Sequence, residues 1–150
     1  MRELVTYGLE TTFARVIKCV EDLSEDKARE SPAGLTPVIW QLGHLVVSDA
    51  GYLSRAGGSA EIPESYGALF RTGTGGVADY PRLPEVRQYF DTIQRGLLEA
   101  ARTTDLSRPV EGRSYRTTGE VLIFTGYHRG YHVGKMTTLR ALLGKSRMFG

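Results

Sequence analysis

The three histidines of the chain are the residues whose type and spacing could support chemistry. His128 and His132 stand four residues apart in the segment 128–134, so on an α-helix their imidazoles project from the same face. His44 lies in a second apolar segment, residues 40–46. If the two segments pack together, the three imidazoles converge. Three protein nitrogens with one open position form the arrangement of a catalytic zinc site.

An imidazole nitrogen suits zinc, nickel, copper or ferrous iron. Such an ion lowers the pKa of a bound water, and a thiol bound to it loses its proton. The chain has neither the His-Glu-x-x-His motif of zinc proteases nor the paired Glu-x-x-His motif of di-iron bundles. The pattern therefore favours a mononuclear site. The alternative is that the histidines are ordinary polar residues, since a pair at this spacing also arises by chance.

Three polar residues near the histidines are candidates for binding a substrate. Gln41 and Ser48 share a helical face with His44, and Lys135 lies about 20° around the helix from His128. The Lys135 ammonium could meet an anionic group of the substrate. The alternative is a plain solvent-exposed polar row, which the sequence pattern permits equally.

The composition is that of one globular domain covering residues 1–150. Charged residues make up 24% and the net charge is +2 with mixed signs, which argues against a nucleic-acid partner. No apolar run approaches the roughly 18 residues that cross a membrane. Cys19 is the one cysteine, so an internal disulfide is excluded and a reducing, cytoplasmic location is expected. We interpret Cys19 as a small buried hydrophobe.

Apolar residues at three- and four-residue steps predict an all-α protein with four helices, at about residues 3–23, 37–55, 84–103 and 118–143. Thr36 and Thr117 are the predicted N-caps, and Gly144 is a predicted C-terminal stop. The helices fit a four-helix bundle with a long crossover at residues 57–83. The glycine-rich run 71–76 lacks the Gly-Lys-Ser/Thr ending of a phosphate-binding loop, so we interpret the crossover as a lid near the site.

Two motifs in this order resemble the DinB/YfiT-like family of metal-dependent enzymes. They are Trp-Gln-Leu-Gly-His-Leu at residues 40–45 and His-Arg-Gly-Tyr-His-Val-Gly at residues 128–134. The resemblance covers nearly the whole chain. It implies an up-down-down-up four-helix bundle, usually dimeric, in which His44, His128 and His132 hold a divalent metal.

Members of that family include S-transferases that use low-molecular-weight thiols, similar isomerases, and proteins linked to stress responses. Two residues depart from the family pattern and bear on the substrate class. Lys135 stands where a glutamine is usual, and Arg129 stands where a glutamate is frequent.

The sequence thus predicts a metal-dependent enzyme. Zinc or nickel would activate a thiol or a water for transfer or hydrolysis on a small molecule, with a low-molecular-weight thiol as a further cofactor and a homodimer as the assembly. The alternative is a non-catalytic, metal-stabilised binding or stress-response protein, with the crossover as its partner surface.

Overall fold

The computed structural model describes residues 1–76, 78–111, 115–146 and 148–149. These residues are all-helical, as predicted, and contain no β-strand. Four long helices carry the fold: α1 (Arg2–Val20), α3 (Val38–Arg55), α5 (Leu83–Thr103) and α6 (Thr118–Leu142). Two short ones, α2 (Glu25–Arg29) and α4 (Glu64–Leu69), lie in the connections. Within the described ranges, none of the helices has the length and apolarity needed to cross a membrane.

The predicted start and stop of α6 are confirmed. The Thr117 side chain accepts a hydrogen bond from the backbone N–H of Glu120 at 3.3 Å. The Glu120 carboxylate reaches back to the N–H of Arg116 at 2.5 Å. Gly144 has φ +75°, a conformation that few residues other than glycine adopt. The helix that carries two of the histidines is therefore fixed at both ends.

The start of α3 differs from the prediction. Pro37, and not Thr36, is the N-cap residue, and no side chain caps this end of the helix. Pro37 is extended at φ −67° and ψ 164°, and its carbonyl accepts from the N–H of Gln41 at 3.2 Å. A proline fixed in this conformation begins the helix without a cap from the Thr36 hydroxyl.

The connections hold more structure than predicted. The segment between α1 and α3 contains α2, where Ser24 accepts a hydrogen bond from the N–H of Lys27. The crossover, where no helix was predicted, contains α4. That helix forms because Tyr66 is buried against Phe70, at 5.1 Å between ring centroids, and bonds Glu85 at 2.9 Å. The bond to Glu85 spans 19 residues of the chain and leaves no periodic pattern in the local sequence.

The four long helices pack in pairs around one apolar core. α1 lies against α5 and α6, and α3 lies against the same two helices. Cys19 is fully buried in this core, as predicted, and burial raises the pKa of its thiol to about 11. The largest fully buried aliphatic side chains come from several of these helices: Leu9, Ile39, Leu42, Leu45, Leu53, Ile93, Leu97 and Leu122. The α3–α6 contact is the one that positions the histidines.

Candidate metal centre

Three imidazoles converge where α3 meets α6. His44 comes from α3, and His128 and His132 come from one face of α6. Each offers one ring nitrogen, and these three atoms lie within 4.8 Å of one another. Two nitrogens bound to one zinc ion lie no more than about 4 Å apart, because each Zn–N distance is about 2.1 Å. The three donors are therefore close to the spacing that a single ion requires.

Hydrogen bonds fix the tautomer of two of the rings. Nδ1 of His44 lies 2.7 Å from the carbonyl oxygen of Phe70, and Nδ1 of His132 lies 2.7 Å from Oε1 of Gln41. Both partners are oxygens that only accept, so each Nδ1 carries the proton. Each Nε2 therefore carries a lone pair, which is the form that binds a metal, and the lone pair of His44 also lies 3.3 Å from the Ser48 hydroxyl. A metal-ligating histidine usually has a partner of this kind on its other nitrogen.

His128, the third imidazole, differs from the other two in its hydrogen bonding. Its Nδ1 is buried and has no hydrogen-bond partner among the described residues. A buried polar atom without a partner costs roughly 1–3 kcal/mol. A bound group that pairs with this nitrogen would remove such a cost. The donor set, the two fixed tautomers and this orphaned nitrogen together fit a divalent ion.

The electrostatics favour neutral rings. Burial lowers the pKa of His128 to about 4, with further lowering by His44 and Arg129. Burial also lowers the pKa of His132 to about 3, and His128, His44 and Lys135 add to the effect. Both rings are therefore neutral at pH 7, and a neutral imidazole is the state that can donate a lone pair to a metal.

The crossover forms one wall of the site, consistent with its predicted position near the site mouth. Phe70, at the end of α4, supplies the carbonyl that holds His44. The Trp40 ring stacks on His44 at 4.9 Å, and its Nε1 donates to the Thr74 hydroxyl at 3.2 Å. A methyl group added at Gly43 would lie 2.4 Å from the Phe70 ring. The absence of a side chain there lets the crossover approach α3.

Further aromatic rings lie next to the imidazoles of His128 and His132. Tyr52 and Phe124 lie 5.8 and 6.4 Å from the ring of His128. The exposed Tyr131 places its ring edge-on to His132 at 5.2 Å. The imidazoles of His128 and His132 therefore lie among aromatic rings.

The structure places the three predicted substrate-binding residues in different positions. Gln41 is 1% exposed and holds His132. The Ser48 hydroxyl lies 3.3 Å from Nε2 of His44. Lys135 is exposed, and its ammonium sits 4.7 Å above the Tyr131 ring. Gln41 and Ser48 therefore contact the imidazoles directly, and Lys135 lies near His132 at the surface.

A buried ion pair beside the site was missed from the sequence. Arg129 Nε donates to Asp49 Oδ2 at 2.7 Å, and both side chains are fully buried. Arg129 also donates to Gln94 Oε1 at 2.7 Å and to the Leu9 carbonyl at 3.2 Å. Burial raises the pKa of the Asp49 carboxyl, and the charge of Arg129 opposes that rise. Arg129 therefore points into the core, and its hydrogen bonds tie α6 to α1, α3 and α5.

One signal could have found this pair. Arg129 lies on the same helical face as Leu122 and Met136, and Asp49 lies between Val46 and Leu53 at three- and four-residue steps. A charged residue within an apolar stripe requires a partner of opposite charge once it is buried. One acidic and one basic residue of this kind, on helices that are expected to pack together, would have predicted the ion pair.

Comparison with known proteins agrees with this geometry. The family model of the DinB superfamily matches residues 9–136, a range that includes all three histidines. No curated protein matches the chain. Because the family model covers most of the chain, the assignment rests on the whole helical fold together with the histidine motifs, and the chain belongs to the DinB superfamily.

Proposed function

We propose that this protein is a metal-dependent enzyme that acts on a small molecule. The observation that carries the proposal is the convergence of His44, His128 and His132, whose donor atoms lie within 4.8 Å of one another. Among the described residues, the group contains no carboxylate or thiol. Three donors leave at least one position for a ligand, which is typical of catalytic rather than structural sites.

A divalent ion at these nitrogens, zinc or nickel by donor type, would act as a Lewis acid that lowers the pKa of a thiol or water beside it. The protein residues orient and shield the reactants. Phe70 and Gln41 keep the lone pairs of their imidazoles turned inward. The rings of Trp40 and Tyr52 limit the access of water. The supported reaction class is transfer to or from a low-molecular-weight thiol, or hydrolysis.

The proposal includes an up-down-down-up four-helix bundle forming a single domain, and a homodimer. Support for the dimer comes from apolar side chains on neighbouring outer faces of α1 and α6. Leu4 and Tyr7 are 76% and 68% exposed, and Ile123, Tyr127 and Tyr131 are 56%, 71% and 55% exposed. Large side chains of this kind on adjacent helices are typical of a surface that a second copy covers. A monomeric mass by light scattering would contradict this part.

Metal analysis of the purified protein tests the central claim. The wild type should retain about one divalent ion per chain, because its donors are prearranged. His44→Ala and His132→Ala should lose most of it, and Thr137→Ala, on the same helix as His132, should keep it. Equal metal content in all four proteins would show that the histidines do not bind the ion.

A second candidate is a non-catalytic, metal-stabilised binding protein. The exposed apolar residues Tyr127 and Tyr131, next to the site, favour it because they offer a partner surface. Thermal melting with and without a chelator, paired with assays of thiol conjugation and of ester and amide hydrolysis, separates the two. A large loss of stability on chelation with no turnover on any substrate class would favour this candidate.

A further inference from the structure

A small cavity lies beside the part of α6 that carries Lys135. Its volume is about 180 Å³, and it is lined by Leu35, Thr36, Gln41, Lys135, Thr138 and Leu139. It therefore lies between the end of the segment that precedes α3 and the second half of α6. Gln41 belongs both to this cavity and to the hydrogen bond that orients His132. The cavity and the histidine cluster are thus joined through one side chain.

The Gln41 amide is the polar group that points to a ligand. Its oxygen accepts from Nδ1 of His132 at 2.7 Å, which leaves the amide nitrogen with two N–H donors. That nitrogen donates to none of the described residues, although only 1% of the Gln41 surface is exposed. Because Gln41 lines the cavity, these two N–H groups are the donors that it can offer to a ligand there.

The other polar groups of the cavity suit an anion with one negative charge. The Lys135 ammonium has no carboxylate partner among the described residues and rests on the Tyr131 ring. The Thr36 hydroxyl is free of the capping role predicted for it. The Thr138 hydroxyl donates to the Gly134 carbonyl at 3.1 Å, so it offers a ligand only its lone pairs. Donors therefore exceed acceptors, and a single ammonium balances one negative charge.

The shape and the lining of the cavity further restrict the class of ligand that it could bind. Leu35 and Leu139 supply an apolar wall, which suits a short alkyl chain next to the charged group. A phosphate would bring nearly two negative charges against one lysine. A carboxylate is planar, carries one charge and accepts from an amide N–H and an ammonium side by side.

We propose that this cavity binds the carboxylate of a small molecule, held by Lys135 and by the free N–H groups of Gln41. The inference rests on the proposed function only in making that molecule the substrate, whose reactive end reaches the histidines. A carboxylate that accepts from the Gln41 nitrogen polarises the amide. The Gln41 oxygen then becomes a stronger acceptor for the His132 N–H. A ligand in the cavity therefore also strengthens the hydrogen bond that orients the His132 ring.

Butyrate and its neutral analogue butyramide are suitable probes, because they share size and differ in charge. Each is titrated into chelator-treated protein and followed by NMR, with the Gln41 side-chain NH₂ signals as the local readout. Butyrate should bind about tenfold more tightly than butyramide, since one charge-assisted hydrogen bond distinguishes them. Lys135→Met should lose that preference, Lys135→Arg should keep it, and Lys27→Met, an exposed lysine outside the cavity, should not change it.

Three results would overturn the inference: equal binding of butyrate and butyramide, unchanged butyrate affinity in Lys135→Met, or tighter binding of inorganic phosphate than of butyrate. Zinc content, measured separately on the same proteins, tests the proposed function. Butyrate binding that depends on Lys135 in a protein unable to hold zinc would support the cavity and overturn the metal centre. Zinc binding without Lys135-dependent butyrate binding would support the metal centre and overturn the cavity proposal.

Discussion

Replacing Arg129 with methionine tests whether the buried ion pair fixes α6 against the rest of the fold. The change keeps a long unbranched side chain and removes the charge. It deletes hydrogen bonds to Asp49 and Gln94, each 2.7 Å long, and one to the Leu9 carbonyl at 3.2 Å. It also removes a cation placed 4.9 Å above the Phe90 ring.

The expected loss is large because Asp49 is left buried without its cation. Both side chains are 0% exposed, so solvent cannot replace the lost partner. Breaking one half of such a pair costs about 3–5 kcal/mol of unfolding free energy. For a domain of this size, each kcal/mol lowers the melting temperature by about 2–4 °C, so the predicted drop is about 6–20 °C.

Urea unfolding of wild type, Arg129→Met, Asp49→Leu and the double variant measures this directly. The double variant should be less destabilised than the sum of the single changes by about 1–3 kcal/mol, because it leaves no unpaired charge. Lys27→Met removes the exposed pair with Glu30, whose side chains are 44% and 49% exposed, and should cost less than about 1 kcal/mol. Additive single effects, or an Arg129→Met loss no larger than the Lys27→Met loss, would refute the reasoning.

Further predictions concern glycine packing, histidine orientation and acid stability. Gly43→Ala should cost about 1–3 kcal/mol and lower the zinc content, because its methyl group would lie 2.4 Å from the aromatic ring of the crossover. Gly130→Ala, where nothing lies within 4 Å, should stabilise the helix by about 0.5–1 kcal/mol, and equal melting shifts in the two variants would contradict this account. Gln41→Leu should weaken zinc binding about 10–100-fold in competition with a chromogenic chelator, since a bound imidazole loses its orienting acceptor; unchanged affinity would contradict that role. Hydrogen bonds from Arg140 lower the pKa of Asp22 to about 2, below its value of about 3.9 in an unfolded chain. This stabilisation is therefore present above pH 4 and lost as the pH falls toward 2, so Asp22→Asn should be less stable than wild type at pH 6 and match it near pH 2; a gap that persists at low pH would argue against the assignment.

The long helices were predictable because their signals are local. Apolar residues recur at helical spacing, and Thr117 and Gly144 mark the two ends of α6 within a few residues of where it starts and stops. The convergence of His44 with the α6 pair could also be predicted, since it needs only that two amphipathic helices face each other. The four-residue spacing supplies the rest of the geometry.

The groups that orient the histidines could not be predicted in the same way. The Phe70 carbonyl lies 26 residues from His44 in the chain, and a backbone atom has no sequence signature. Gln41 was predicted on the correct face, but its partner His132 lies 91 residues away. The cap at Thr36 failed because a proline already fixes the entry to α3. The partners of His44 and His132 depend on how separate segments pack, whereas the cap at Thr36 was displaced by its neighbour in the chain.

Through the Phe70 carbonyl, the crossover should also influence the rate at which a bound ion leaves the site. This segment shields one side of the site and also holds the proton on Nδ1 of His44. If the segment moved away, the His44 ring would lose this acceptor and be free to rotate and to exchange tautomer. The residence time of a bound ion should therefore follow the opening of the crossover more than the strength of the metal–nitrogen bonds. Zinc should in turn slow amide hydrogen exchange in α4 and up to Thr74.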